Sequence, residues 1–239
     1  MRAIVGTAGW TIPTKDAAAF PAEGTSLERY AARFQAVEIN SSFHREHRAA
    51  TWQRWADSVP AGFRFAVKLP KTITHKRKLV DCDDLLEPFV GQVSPLGDKL
   101  AILLVQLPPK LAFDAAVAEP FLASLATRSP VRIACEPRHP SWFDAEPDAL
   151  LRSLNVARVA ADPAVTPSAA TPGGCLATRY WRLHGSPIMY RSSYEDDRLE
   201  FYAREMKSAI GEGAEAWCMF DNTAASAATA NALALMERL

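Results

Sequence analysis

The segment Tyr180-Trp181-Arg182-Leu183-His184 alternates polar and apolar side chains along its whole length. Successive side chains of a β-strand point to opposite faces, so Tyr180, Arg182 and His184 share one face of a strand. A charged side chain in the middle of a strand needs a partner if its face is buried. We therefore expect this strand to turn its polar face toward a polar interior and its apolar face toward a layer of helices.

Five further segments show the same alternation or a single polar residue among apolar neighbours. Their polar residues are Glu38 and Asn40, Arg64 and Lys68, Gln106, then Arg132, Glu136 and Arg138, and finally Arg158 and Asp162. Strands that all carry a polar face predict one shared polar interior. The residues expected to point into it are Glu38, Lys68, Gln106, Glu136, Asp162 and Arg182.

Strand and helix patterns alternate along the chain. The predicted strands are Ala3–Thr7, Ala36–Asn40, Arg64–Leu69, Leu100–Leu107, Arg132–Pro137, Val156–Asp162, Arg179–Gly185 and Ala216–Asn222. The predicted helices are Ser26–Phe34, Ala49–Ser58, Asp83–Val93, Asp114–Thr127, Glu146–Leu154, Tyr194–Ile210 and Ala224–Leu239. Such alternation predicts a parallel sheet. The 239 residues approach the roughly 250 of a closed eight-stranded barrel. We predict an α/β fold, a single, slightly irregular TIM-type (β/α)8 barrel, with residues 1–239 as one domain.

Local signals add detail to this fold. Pro163–Ala177 is rich in Pro, Thr, Ala and Gly and lacks a helical period, so a loop is expected between the sixth and seventh strands. Ser26 is expected to open a capped helix, and Asp83 and Asp114 are favourable N-cap residues. The rival fold is an open doubly wound sheet, but Gly6-Thr7-Ala8-Gly9-Trp10 lacks the third glycine of a dinucleotide-binding turn.

Composition restricts the class of partner. The chain has 27 basic and 27 acidic residues, so bulk attraction to nucleic acid or to an anionic membrane is not indicated, although a local basic patch is compatible. The longest apolar stretch, Leu100–Val105, is too short to span a bilayer, and Met1–Trp10 carries no secretory signal. The four cysteines lie far apart in sequence and are expected to be free thiols in a cytoplasmic protein.

The carboxyl ends of the strands bring together carboxylates, cations and aromatic residues. Glu38, Glu136 and Asp162 include candidates for a general acid and base. With His184 they also offer oxygen and nitrogen ligands for a divalent metal, the less favoured alternative. The third interpretation is an internal network of ion pairs with lysine and arginine partners, because buried charges need compensation.

The cations at these strand ends favour an anion site. Lys68, Arg138 and Arg182 are the expected anion-binding residues, since lysine and arginine match phosphate and carboxylate oxygens. Residues 76–78 are expected to form a solvated loop tip instead. Trp10 and Trp142 follow strand ends, where their rings are expected to wall the site.

The motifs at the strand ends resemble those of the YecE-like proteins, the family labelled domain of unknown function 72. The matching motifs are Gly6-Thr7-Ala8-Gly9-Trp10, Val37-Glu38-Ile39-Asn40-Ser41-Ser42-Phe43, Phe65-Ala66-Val67-Lys68 with Thr74-His75, Gln106-Leu107-Pro108-Pro109, Glu136-Pro137-Arg138-His139 with Ser141-Trp142, Arg182-Leu183-His184-Gly185 and Phe220-Asp221-Asn222. The resemblance covers nearly the whole chain and implies a TIM-type barrel, with no established reaction. The chain departs from the family in His44-Arg45-Glu46-His47, in Asp221 and in the glycine-free stretch at 223–228.

These observations predict an enzyme that acts on an anionic, phosphate-bearing or nucleotide-like small molecule by acid/base chemistry, with a hydrolase and an isomerase both compatible. The predicted catalytic residues are Glu38, Glu136 and His184. The predicted substrate-binding residues are Trp10, Asn40, Lys68, His75, Arg138, Trp142, Asp162, Arg182 and Asn222. No cofactor, no metal site and no membrane partner is predicted. The alternative function is a non-catalytic binding module for single-stranded nucleic acid or a protein, which the zero net charge disfavours.

Overall fold

The structure, a computed structural model, describes residues 3–239, so Met1 and Arg2 of the predicted domain and N-terminus lie outside the described residues. The strands are β1 (Ala3–Thr7), β2 (Ala36–Ile39), β3 (Arg64–Lys68), β4 (Leu100–Gln106), β5 (Arg132–Glu136), β6 (Val156–Arg158), β7 (Ala160–Asp162), β8 (Gly173–Gly174), β9 (Thr178–Leu183) and β10 (Glu215–Phe220). The α-helices are α1 (Ser26–Ala31), α2 (Ser41–His44), α3 (Ala49–Asp57), α4 (Asp83–Val93), α5 (Ala115–Arg128), α6 (Ala145–Ser153), α7 (Asp196–Gly211) and α8 (Ala228–Met236). Short 3₁₀ turns cover Thr14–Ala19, Ser94–Lys99, Pro140–Phe143 and Pro167–Ala170, and a π turn covers Thr72–Lys76.

The strands form two parallel sheets, ordered β1-β10-β9-β7 and β2-β3-β4-β5-β6-β8. Only the last pair, β6 with β8, is antiparallel among the described strand pairs. Two connections join the sheets. Ala8 bridges Glu38 in parallel, with the Gly9 N–H donating to the Glu38 carbonyl at 2.8 Å. At the other junction β6 and β7 are separated by Val159 alone. The result is a TIM-barrel-like α/β fold with helices outside the strands.

Two apolar clusters show which strand positions face inward. The inner cluster consists of Ile4, Ala36, Ala66, Ile102, Leu104, Ala134, Ala157, Val159, Tyr180, Trp217 and Met219. The larger, outer cluster lies between strands and helices and includes Val37, Val67 and Trp181. Alternation places Glu38 on the same face as Ala36, Lys68 with Ala66, and Arg182 with Tyr180. The predicted polar interior is therefore confirmed on these strands.

The β6–β7 segment has the opposite orientation from the one predicted. Ala157 and Val159 belong to the inner cluster, so Arg158 and Asp162 face outward. Arg158 pairs with Asp148 of α6 at 3.1 Å. Asp162 pairs with Arg198 of α7 at 3.4 Å. The predicted inward orientation of Asp162 is wrong, because the helices that cover this segment supply the partners that its charges need.

The connection from β7 to β9 differs from the other crossovers. Residues 163–177, all of them described, contain a 3₁₀ turn and β8 but no α-helix, as predicted. The Asp148 carboxylate accepts the Gly174 N–H at 2.8 Å and holds β8 against β6. A Cβ at position 173 would lie 2.2 Å from Arg158 Nη2, so a larger residue there would displace the Arg158 side chain from its present position.

The helix boundaries follow the predictions with small shifts. The first capping box uses Thr25, whose hydroxyl accepts the Glu28 N–H at 3.3 Å, instead of the predicted Ser26. Asp114 caps α5 as predicted, with its carboxylate accepting the Ala116 N–H at 3.0 Å. Asp83 is the first residue of α4 rather than its cap, so its negative charge lies in the first turn near the positive end of the helix dipole.

A buried tyrosine joins the first two strands. The Thr7 N–H donates to the Tyr30 hydroxyl at 2.8 Å, and that hydroxyl donates to the Ala36 carbonyl at 3.1 Å. Tyr30 and Ala36 have no exposed surface. Burial raises the pKa of the Tyr30 hydroxyl, so the donor stays protonated at neutral pH.

The Tyr30→Phe variant should lose about 1–3 kcal/mol of unfolding free energy, because the buried Thr7 N–H is left without this acceptor. Urea denaturation measures the loss. Tyr190→Phe is the matched control, since the Tyr190 side chain is 42% exposed and surface substitutions change stability by less than about 0.5 kcal/mol. Equal midpoints for the two variants would contradict the role of Tyr30.

Candidate functional site

A cluster of charged and polar side chains fills the carboxyl-terminal end of the strands. We call it the ionic cluster. Its members are Glu38, Glu136, Arg138, Tyr180, Arg182, His184 and Asp221. These residues come from β2, β5, β9 and β10 or from the residue or two that follow those strands. Parallel strands end at one edge, which explains how positions up to 183 residues apart come together.

Arg182 is the centre of the ionic cluster. Its guanidinium donates to both oxygens of Glu38, at 2.9 Å from Nε and 2.6 Å from Nη2. It also donates to Glu136 and, at 3.1 Å, to Asp221. Arg182 is 1% exposed, and the Glu38 and Glu136 side chains have no exposed surface. All three guanidinium nitrogens are therefore used inside the protein.

His184 connects two of these carboxylates. Its Nδ1 lies 3.0 Å from Asp221 Oδ2, and its Nε2 lies 3.0 Å from Glu136 Oε1 and 2.7 Å from Arg138 Nη2. A neutral ring that donates to Asp221 can accept from Arg138 at Nε2. A protonated ring donates to both carboxylates instead. The ring therefore has hydrogen-bond partners in either protonation state.

The cluster keeps its carboxylates ionised. Burial alone would raise the pKa of Glu136, but Arg138 and Arg182 hold that pKa well below its usual range. The pKa of Asp221 is also lowered, against the effect of burial, by Arg182 and by the hydrogen bond from His184. Burial and Glu38 raise the pKa of Tyr180, whose hydroxyl donates to Glu38 at 2.9 Å. Three carboxylates thus face two guanidinium groups, which leaves one negative charge when His184 is neutral.

Lys68 supplies the remaining positive charge from the edge of the cluster. Its Nζ lies 4.0 Å from the centre of the Phe43 ring. The described residues provide this ammonium with no ion pair and no hydrogen bond. Burial, and then the charge of Arg182, lower the pKa of Lys68 to about 8, although Glu136, Glu38 and Asp221 act in the opposite direction. Lys68 therefore titrates near physiological pH.

Two further predicted site residues, His75 and Asn40, lie outside the ionic cluster as defined. His75 packs its ring 4.9 Å from the Phe43 ring and hydrogen-bonds Thr74 at 2.8 Å. Burial and the charges of Lys68 and Lys71 lower the pKa of His75, which makes it neutral at pH 7. Asn40 Oδ1 and Arg138 Nε are buried and lack a hydrogen-bond partner among the described residues.

The other predicted binding residues make contacts within the protein. Trp10 contacts Trp55 at 5.1 Å between ring centroids. Trp142 is 1% exposed and donates its indole N–H to the Leu111 carbonyl at 3.0 Å. Asn222 is fully buried and donates to Asn231 Oδ1 at 2.9 Å. Together with the outward-facing Asp162, these side chains lie outside the ionic cluster.

Sequence reasoning missed Asp221, which occupies the role expected of Asp162. Its signal was the alternation along β10, where Trp217 and Met219 face the interior and Asp221 comes two residues later. The apolar character of Trp217 and Met219 hid this strand from a search for repeated polar residues.

The structure adds three observations on other classes of site. Cys82, Cys135, Cys175 and Cys218, all within the described residues, are free. Residues 3–239 contain no group of three or more His, Cys, Asp or Glu arranged to hold a metal ion. None of the helices in that range combines the length and the apolar character that crossing a bilayer requires.

Comparison with known proteins gives one family. The family model described as "Protein of unknown function DUF72" matches residues 4–239. UPF0759 protein YecE of Escherichia coli K12 is 34% identical over 120 residues, which are 50% of this chain and 43% of that protein. UPF0759 protein YunF of Bacillus subtilis is 28% identical over 111 residues, 44% of this chain and 39% of that protein. Each alignment therefore spans less than half of the relative's length.

Solved structures show the same fold over the whole chain. A DUF72 family protein of Thermotoga maritima has a TM-score of 0.82 at 23% identity, covering 99% of this chain and 98% of that one. A DUF72 family protein of Enterococcus faecalis gives 0.79 at 18% identity, covering 98% and 96%. D-psicose 3-epimerase of Clostridium cellulolyticum gives 0.59 at 9% identity, covering 99% and 97%, a likeness of fold alone.

Replacing the central arginine should destabilise the protein strongly. Arg182→Met removes the cation that pairs with the fully buried Glu38 and leaves Glu136 with Arg138 alone, which costs about 3–5 kcal/mol at pH 7. Arg77→Met, which removes an exposed pair with Asp84, should cost less than about 1 kcal/mol. Urea denaturation of both variants and the wild type gives the comparison, and equal losses would contradict the central role of Arg182.

The loss of unfolding free energy in Arg182→Met, relative to the wild type, should depend on pH. In the wild type the folded-state pKa values of Glu136 and Asp221 are lowered, so their stabilisation is present above the unfolded values near 4 and is lost as the pH falls through the folded values. In Arg182→Met the lowering by Arg182 is lost, so the pKa values of Glu136 and Asp221 rise relative to the wild type, although Arg138 still lowers that of Glu136. The deficit of the variant should therefore shrink between pH 7 and about pH 4.5, whereas a constant deficit would count against this electrostatic explanation.

Proposed function

The chain belongs to the DUF72 family, and from that premise we propose that it is an enzyme that acts on a small anionic molecule by acid/base chemistry at the carboxyl ends of its strands. One observation carries the proposal. Lys68 lies half-buried beside a cluster whose other charges are paired, and it has no ionic partner of its own among residues 3–239. An ammonium at a strand end with no ion pair or hydrogen bond of its own has donors available for an anion.

We divide the predicted residues between two proposed roles. Arg182, Glu38 and Glu136 are saturated by one another and act as positioning residues. Lys68 and Arg138 are the proposed contacts to substrate. Arg138 is 11% exposed, and its Nε has no partner in the described part of the chain. An arginine and a lysine together match the oxygens of a phosphate or a carboxylate.

Proton transfer is proposed for Lys68 and for the hydrogen-bonded pair of Asp221 and His184. Lys68, with a pKa of about 8, exchanges a proton readily under physiological conditions. Asp221 is 16% exposed and lies 3.0 Å from His184 Nδ1, so a proton can pass between solvent and the imidazole. His184 in turn contacts the fully buried Glu136.

The fold places these groups at one mouth if the two sheets form a closed barrel, which we include in the proposal. The Ala8–Glu38 bridge and the near-continuity of β6 with β7 support closure. The proposed chemistry uses side chains alone and needs no cofactor. The proposed location is the cytoplasm, and the four free cysteines support it.

Sulfate binding tests the anion site directly, because sulfate keeps its charge between pH 6.5 and 9.5. We expect calorimetry to show that wild-type affinity falls as the pH rises through about 8, where the Lys68 ammonium loses its proton. Lys68→Met should bind about tenfold more weakly at pH 7, the effect of one lost charge-assisted contact. Lys207→Met, on the exposed face of α7, is the control. Identical binding by all three proteins would contradict the proposal.

Catalysis needs a separate test. Pools of sugar phosphates and small carboxylates incubated with the protein in D₂O should yield one compound that exchanges a proton, isomerises or is hydrolysed, observed by NMR. The change should be absent with Lys68→Met and retained with Lys207→Met. Sulfate binding without any change in the pools would instead favour a non-catalytic binding module.

A further inference from the structure

A cavity lies between α2, the π turn and α4. Its volume is about 600 Å³, within the range of small-ligand sites. Phe43 belongs to its lining and also contacts Lys68 and His75. The Phe43 ring therefore lies between the cavity and the side chains at the carboxyl-terminal ends of the strands.

The cavity carries an excess of positive charge. Arg45, Lys71 and Lys76 line it, and Glu46 is the single carboxylate in its lining. No ion pair or hydrogen bond within residues 3–239 engages the side chains of these three cations. The adjacent Arg77 differs, since it pairs with Asp84 at 2.5 Å. Residues 76–78 are exposed, as predicted, and of these three Lys76 lines the cavity.

The remaining lining is apolar, with amide and hydroxyl groups interspersed. Phe43 and Phe89 supply aromatic surface, and Pro88 lies beside Phe89 on α4. Thr72 and Gln92 supply side chains that can hydrogen-bond. A ligand that matches this lining needs a flat apolar body with polar edges and an attached anionic group.

We propose that this cavity is a binding site for a nucleoside monophosphate, with the phosphate at Lys71, Lys76 and Arg45 and the base against the aromatic lining at Phe43. The phosphate would meet three exposed cations that form no ion pair within residues 3–239. The flat face of the base would pack against the apolar part of the lining, and its polar edge would face Thr72 and Gln92. This site is distinct from the anion contacts proposed at Lys68 and does not depend on them.

Calorimetry with AMP tests the site on the full chain at constant ionic strength. The wild type should bind AMP, and the Lys71→Met/Lys76→Met double variant should lose at least about tenfold in affinity, the loss expected for two charge-assisted contacts. Lys78→Met is the control, because Lys78 is exposed in the same segment and outside the cavity lining. Thermal unfolding midpoints check that the variants are folded.

The other outcomes overturn the proposal. One is no AMP binding to the wild type up to 5 mM. Another is equal affinity in the double variant and in Lys78→Met. Decanoate binding in place of AMP binding would show that the apolar lining takes an aliphatic chain instead. Sulfate binding at Lys68 is measured separately, so its loss or retention leaves the AMP result at this cavity unchanged.

Discussion

A guanidinium group keeps its charge even when it is almost fully buried, so carboxylates must surround it, and Arg182 imposes this constraint on the whole strand assembly. Glu38, Glu136 and Asp221 meet it from three different strands or strand ends. Each pair has a desolvation cost, so the ionic cluster specifies which strand ends come together more than it adds net stability. The inner apolar cluster beneath it, with Ile4 and Trp217 among its members, and the outer cluster of helix contacts provide the main hydrophobic stabilisation.

This constraint also determines where chemistry can occur. Charges that compensate one another in the interior are unavailable to a substrate, so Arg182 and Glu38 hold their neighbours in place. The edge of the cluster differs, because Lys68, Arg138 and Asp221 keep some exposure or unused hydrogen-bonding capacity. His184 lies between interior and edge, bonded to Glu136 on one side and Asp221 on the other. The proposed acid/base chemistry therefore belongs to the edge, with the interior as its rigid support.

The sequence predicted the interior well where alternation was strong. Glu38, Lys68, Glu136 and Arg182 face inward because each lies on the inner parity of its strand. The predicted orientation of Asp162 was wrong because alternation shows that two residues share a face of a strand without showing which face. Its partner Arg198 lies 36 positions away on α7, where no local pattern indicates the pair. Trp10 and Trp142 occupy the predicted strand ends, but their orientation depends on contacts with Trp55 and Phe113, which no local pattern reveals.

Lys68 is the cation at the cluster edge that has no ion pair and no hydrogen bond within the described residues, and its proton is weakly held. The most direct measurement is an NMR titration of the protein with ¹³C-labelled lysine, assigned with Lys68→Arg, which follows the Cε resonance from pH 6 to 11. We predict a midpoint near pH 8 for Lys68, as burial and Arg182 require. A midpoint at the ordinary lysine value of about 10.4 would contradict this claim.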